Sequence, residues 1–89
     1  MSYYIFDIRV ITSEQEATDA AMWLVDEAII ATTAIRGKQK KIRVCESKIT
    51  QLQRKCTHMK WEAPLGRLKT SLEALEAAKV EDDLSLWRI

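Results

Sequence analysis

The sequence predicts a mainly α-helical chain with a small β element, and three features of its 89 residues carry that reading. Isoleucine returns every seventh residue at Ile35, Ile42 and Ile49, in a register that runs back through Ala28 and Ala21 and on to Cys56. Leu24, Ala31, Lys38, Cys45, Leu52 and Met59 stand three residues further along each heptad. An a/d pattern held for about six heptads describes a long amphipathic helix whose seam needs another helix to cover it. Two glycines and one proline leave few turns, so the elements should be few and long. The third feature is a β-branched and aromatic run at the N-terminus.

That run, residues 3–11, reads as a strand. Tyr4, Phe6, Ile8 and Val10 fall on one face, and Ile5, Asp7, Arg9 and Ile11 on the other. A helix start follows at once. Ser13-Glu14-Gln15-Glu16 is a capping box, and Glu14, Glu16 and Asp19 complement the positive end of the helix dipole. From Ala20 to Ile35 the apolar face is broad. Leu24, Ala28 and Ile35 follow the seam, while Met22, Val25, Ile29 and Ile30 widen it, so this half should pack on two neighbours.

Gly37 is the point at which the helix could break. Glycine inside a helix costs about 1 kcal/mol against alanine and suits a helix end. The heptad phase nevertheless carries from Ile35 to Ile42 without a slip. One continuous helix over residues 13–61 is therefore expected, about 70 Å long at 1.5 Å per residue. Ala63-Pro64-Leu65-Gly66 ends it, because proline disfavours helix in the residue before it and suits a first turn after it. A shorter second helix is expected over residues 64–78, with Leu65, Leu68, Leu72 and Leu75 at helical spacing. Glu81-Asp82-Asp83 interrupts that pattern, and residues 84–89 read as a short strand. The two terminal strands are expected to pair and to lean on the helix near Trp23 to Ile30. The whole forms one small domain, since a chain this short buries one modest core.

The seam of the long helix is Leu24, Ala28, Ile35, Ile42, Cys45, Ile49, Leu52 and Cys56. Its expected cover is a second copy of the chain, making a dimer. Charge decides the orientation. Residues 1–35 carry one base and six acids, residues 36–60 nine bases and one acid, and residues 61–89 four bases and six acids. An antiparallel or hairpin-like pairing would set the acidic first part beside the basic middle.

The concentrated positive charge is also the best sequence-level candidate for a partner-binding face. Its residues are Arg36, Lys40, Lys41, Arg43, Lys48, Arg54, Lys55 and Lys60, mostly at outer heptad positions. The simpler alternative is a solvated flank that pairs with the acidic segments.

No catalytic constellation emerges. His58 is the only histidine, and with Cys45 and Cys56 it lacks the short paired spacing of a zinc site. The two cysteines lie about 16 Å apart along one helix, too far for a disulfide, and read as small seam residues. Two isolated glycines cannot build a phosphate loop. Trp23, Trp61 and Trp87 could stack on bases, but fit a core or an interface better. No metal and no cofactor are expected. No apolar run is long enough to span a bilayer, and the N-terminus lacks a basic signal-peptide start, so the expected location is the cytoplasm.

The segment Glu46-Ser47-Lys48-Ile49-Thr50-Gln51-Leu52-Gln53-Arg54-Lys55 resembles the central coiled coil of the siphovirus gene-product-157 family. Residues 67–76 are similar to that family's late leucine-rich helix, and residues 79–88 resemble its closing strand. The resemblance covers about residues 42–89; the opening strand and Pro64 depart from the family pattern. It implies a phage origin and a non-enzymatic role linked to phage resistance. Phage Gam-like inhibitors of host nucleases share a comparable long-helix logic. The expected function is thus an interaction protein that binds and inhibits a host defence or nuclease component. Two other classes stay open: a nucleic-acid-binding helical protein using residues 36–60, and a structural coiled-coil subunit of an assembly. Steep salt dependence would mark the first, and a stoichiometric complex the second.

Overall fold

The computed structural model describes residues 7–87, with side chains for residues 7–80. Three helices, α1 (Glu14–Thr33), α2 (Lys38–Met59) and α3 (Leu65–Trp87), make a bundle in which each packs on the other two.

The first helix starts where the capping box stands. Ser13 Oγ accepts from the Glu16 amide at 3.2 Å, and Glu16 Oε1 accepts from the hydroxyls of Ser13 and Thr12 at 3.1 and 3.0 Å. Ala34 turns extended, with ψ 140°, and Gly37 adopts φ +65° before its carbonyl accepts from the Lys41 amide at 2.9 Å. That left-handed conformation costs a residue with a Cβ about 1–2 kcal/mol, which is why glycine stands there. The second helix ends at Lys60, also left-handed at φ 61°. The Trp61 amide then donates to the Cys56 carbonyl at 2.9 Å, satisfying a carbonyl of the last turn. Pro64 is fully buried, and its carbonyl accepts from the Leu68 amide at 3.1 Å to open α3.

Short connections make α2 antiparallel to α1 and α3 parallel to it. Cys45 donates its thiol to the Leu24 carbonyl at 3.9 Å, and Lys48 lies over the Trp23 ring, so later residues of α2 meet earlier residues of α1. The Ala63 amide donates to Glu14 Oε2 at 3.1 Å, which brings the start of α3 beside the start of α1.

The core lies along the shared axis. Ala17, Ala20, Ala21, Leu24, Ala28 and Ala31 come from α1; Ile42, Cys45, Ile49, Leu52 and Cys56 from α2; Leu68, Leu75 and Ala78 from α3. Five alanines and one leucine let the backbone of α1 approach closely, while α2 supplies the volume. Each fully buried leucine or isoleucine contributes about 1.5–3 kcal/mol by leaving water. Buried Ser71 donates its hydroxyl to the Arg67 carbonyl at 2.9 Å, so the core strands no polar group there.

Five expectations are corrected. The helix over residues 13–61 is two helices separated by residues 34–37. The heptad phase runs through the break because the loop of residues 34–37 has a length that keeps it; phase alone does not report continuity. Ile35, placed in the seam, lies in that break and is 98% exposed. The other seven seam residues, Leu24, Ala28, Ile42, Cys45, Ile49, Leu52 and Cys56, are buried inside one chain. The seam is therefore closed within one chain, and its burial lends no support to a dimer through it.

The strand over residues 3–11 is not formed where it is described. Residues 8–10 make a 3-10 turn capped by Asp7, whose carboxylate accepts from the Arg9 amide at 3.0 Å and pairs with its guanidinium at 3.1 Å. A local side-chain cap competes there with extended backbone. Residues 3–6 lie outside the described residues. At the other end α3 runs on beyond residue 78 to Trp87, so residues 84–87 are helical, and residues 88–89 lie outside the described residues. Glu81-Asp82-Asp83 contains neither glycine nor proline, and acids alone do not stop a helix that is already growing. No strand is present among the described residues.

Candidate protein-docking site

The eight basic residues do not form one face. Arg36 sits in the α1–α2 turn and Lys60 at the far end of α2, about 33 Å away at 1.5 Å per residue. Between them the side chains divide by helical angle. Lys41, Lys48 and Lys55, one heptad apart, lie along the edge of α2 that faces α1. Lys40, Arg43 and Arg54 are exposed, Lys40 at the rim of the side facing α1 and Arg43 and Arg54 farther round the helix.

Two members of the inner row already have work inside the fold. Lys48 Nζ lies 5.1 Å from the centre of the Trp23 ring. Lys55 Nζ donates to the Ile8 carbonyl at 2.7 Å. These two lysines are thus engaged by an aromatic ring and a backbone carbonyl, although the neighbouring α1 carries five acids and no base.

Beside this row a groove of about 370 Å³ opens between α1 and α2, lined by Glu27, Ile30, Ala31, Lys40, Lys41, Val44, Cys45 and Lys48. Its floor is apolar and its rim carries three lysines and one carboxylate. α3 packs on the opposite side of the same helix pair, through Val25, Ala28 and Ile29 of α1 and Thr70, Ser71 and Ala74 of its own. Among the described residues, no helix covers this side of the α1–α2 pair.

Large apolar side chains stand exposed around its upper end. Ile30 is 54% and Val44 47% exposed, and fully exposed Ile35 follows in the adjoining turn. Scattered exposed apolar residues are ordinary on a protein surface; two branched ones on the walls of one groove, with Ile35 in the turn beyond, make it a candidate interaction site. The sequence pointed to this only indirectly. The widened apolar face of α1 was visible, but Ile30 and Ile29 look alike in sequence, and only the position of α2 assigns Ile30 to the groove. Val44 carried no sequence signal at all.

A second, more open groove of about 520 Å³ lies between α2 and α3, where Gln53, Arg54, Thr57, His58, Leu65 and Lys69 meet. It brings Arg54 together with His58 and Lys69.

Cys45 reaches the wall of the first groove but is only 4% exposed. Burial first, then the nearby Glu27 carboxylate, pushes its thiol up to about 11. Burial raises Cys56 as well. Both thiols are free, and neither is a ready nucleophile at neutral pH. Among the described residues no three metal-ligating side chains cluster, and no helix is long and apolar enough to cross a membrane.

No protein-family model, no curated protein and no solved structure matches the chain.

Proposed function

We propose that this chain is a small non-catalytic protein that acts by docking on a partner protein and blocking it. The carrying observation is the exposure of Ile30 and Val44 on a groove that no described helix covers, with almost fully exposed Ile35 in the neighbouring turn. A folded chain gains nothing in stability from a nearly fully exposed isoleucine, whereas a protein interface buries such a side chain near its centre. The resemblance of α2 and early α3 to a phage family supports placing the partner in an infected host, as a defence or nuclease component. That support comes from α2 and residues 67–76 alone, because the segment resembling the family's closing strand is helical here through Trp87.

The test is co-purification of partners with the protein and with an Ile35→Asp/Val44→Asp variant. Both positions are exposed, so the variant should melt as the parent does and should lose its specific partner. Full retention of every partner would refute the reading. A nucleic-acid function is the second reading, favoured by Arg54, His58 and Lys69 converging between α2 and α3. It predicts binding that survives the Ile35→Asp/Val44→Asp change, falls with Arg43→Glu/Arg54→Glu, and weakens steeply with salt.

A further inference from the structure

We infer that the α1–α2 groove takes an acidic amphipathic helix of a partner protein, an assignment that rests on the docking reading above. Two packed helices present a groove on each side. In this chain α3 fills one through Leu68, Leu75 and Ala78, and the other is floored by Ile30, Ala31, Val44 and Cys45. The shape that completes such a groove is another helix, laying one apolar edge between the pair.

Charge sets the chemistry of the occupant. Lys40, Lys41 and Lys48 stand on the α2 lip, and among the described residues Glu27 is the only acid that lines the groove. A basic segment would be repelled along the whole α2 lip. An uncharged apolar segment would leave three ammonium groups facing a drying interface, at a cost. A nucleic acid would satisfy the lysines but would lay phosphates over an isoleucine, an alanine and a valine. An acidic helix satisfies both parts: leucine-like side chains fill the floor and carboxylates meet the lysines. The polarity is directional. Carboxylates belong on the edge facing α2, and the edge facing Glu27 should be neutral or basic. The groove runs from Lys40 to Lys48, about 12 Å, so two to three turns of the occupant engage it.

The probe is a synthetic 14-residue helical peptide with leucines on one face and glutamates on one flank, beside a twin carrying lysines for the glutamates. Titration calorimetry should show the acidic peptide binding and the lysine twin not binding. Lys40→Glu/Lys41→Glu, with both side chains exposed, should weaken the acidic peptide at least tenfold and admit the lysine twin. Lys41→Glu/Lys48→Glu should do the same, and comparing its melting curve with the parent's isolates any effect of losing the Trp23 contact. Arg43→Glu/Arg54→Glu, equal in charge change but outside the groove, should leave affinity within twofold. Equal weakening by all three variants would reduce the effect to net charge and overturn the assignment. So would absence of binding by the acidic peptide. Concentration-dependent dimerisation of the protein alone, abolished by Lys40→Glu/Lys41→Glu, would make the occupant a second copy through its acidic α1, and would overturn it too. If the peptide fails while a co-purifying partner is still lost with Ile35→Asp/Val44→Asp, the docking reading stands and only the acidic helix falls.

Discussion

Lys55 Nζ donates to the carbonyl oxygen of Ile8 at 2.7 Å, tying the last turns of α2 to the turn that precedes α1. A hydrogen bond from a charged donor contributes about 1.5–3 kcal/mol when it is partly sheltered. Lys55→Met keeps the aliphatic stem and removes the donor. It should lower stability by about 1–2 kcal/mol and speed amide exchange at Val10 and Ile11, whose amides close the 3-10 turn at 3.1 and 3.2 Å. Unchanged exchange at both amides would mean that the turn holds without Lys55.

The sign of a single substitution separates a hairpin from a long helix. In the hairpin Gly37 has φ +65°, and alanine there should cost about 1 kcal/mol or more even though no atom lies within 4 Å of the new Cβ. In a continuous helix the same change would stabilise by about as much. Gly66, inside the first turn of α3 and equally open, is the control: Gly66→Ala should be neutral to stabilising. Urea midpoints of the two variants decide the matter.

Lys60 pays the same conformational penalty without being glycine, at φ 61°. Lys60→Gly should therefore raise stability by about 0.5–1 kcal/mol, read as a higher melting temperature. A lower melting temperature would show that the lysine side chain compensates through a contact of its own.

Ile35 and Ile49 stand two heptads apart and differ in everything but sequence register. Ile49 is fully buried, so Ile49→Ala should cost about 2–5 kcal/mol. Ile35→Ala should change stability by less than about 0.5 kcal/mol. Sedimentation should find the seam variants no different from the parent in mass, because that seam is closed within one chain.

The buried thiols make stability fall in alkali. Cys45 holds its proton up to about 11, whereas the unfolded thiol releases it near 9.0. The native state therefore binds more protons in that window. The contribution is whole below pH 9 and is lost as pH rises toward 11. Replacing Cys45 with alanine should flatten the decline between pH 8 and pH 10.5, measured as the difference in urea midpoint from the parent. Parallel declines in the two proteins would assign the effect to other groups.

How much of this was legible follows from what each signal depends on. The capping box at Ser13 and the turn chemistry around Pro64 are local, and both act where the sequence places them. The apolar stripes of α1 and α2 are also local, because a helix buries whatever recurs at its own period. Seven of the eight seam residues are accordingly buried. The Ile35–Gly37 break was ambiguous for a physical reason: heptad spacing is preserved by a continuous helix and equally by a hairpin whose loop lands in phase. The backbone φ of Gly37 resolves it, because the left-handed turn sends α2 back along α1. The strand readings of the termini rested on propensity, which tertiary context overrides. By itself, then, the sequence determined that this is a helical chain with one small core, an acidic first part and a basic middle. Only the tertiary structure decided that the seam closes on itself, which lysines are spent inside the fold, and that Ile30 and Val44 line one groove that no described helix covers. Those facts depend on how three helices are placed relative to one another, and no single helical period contains that information.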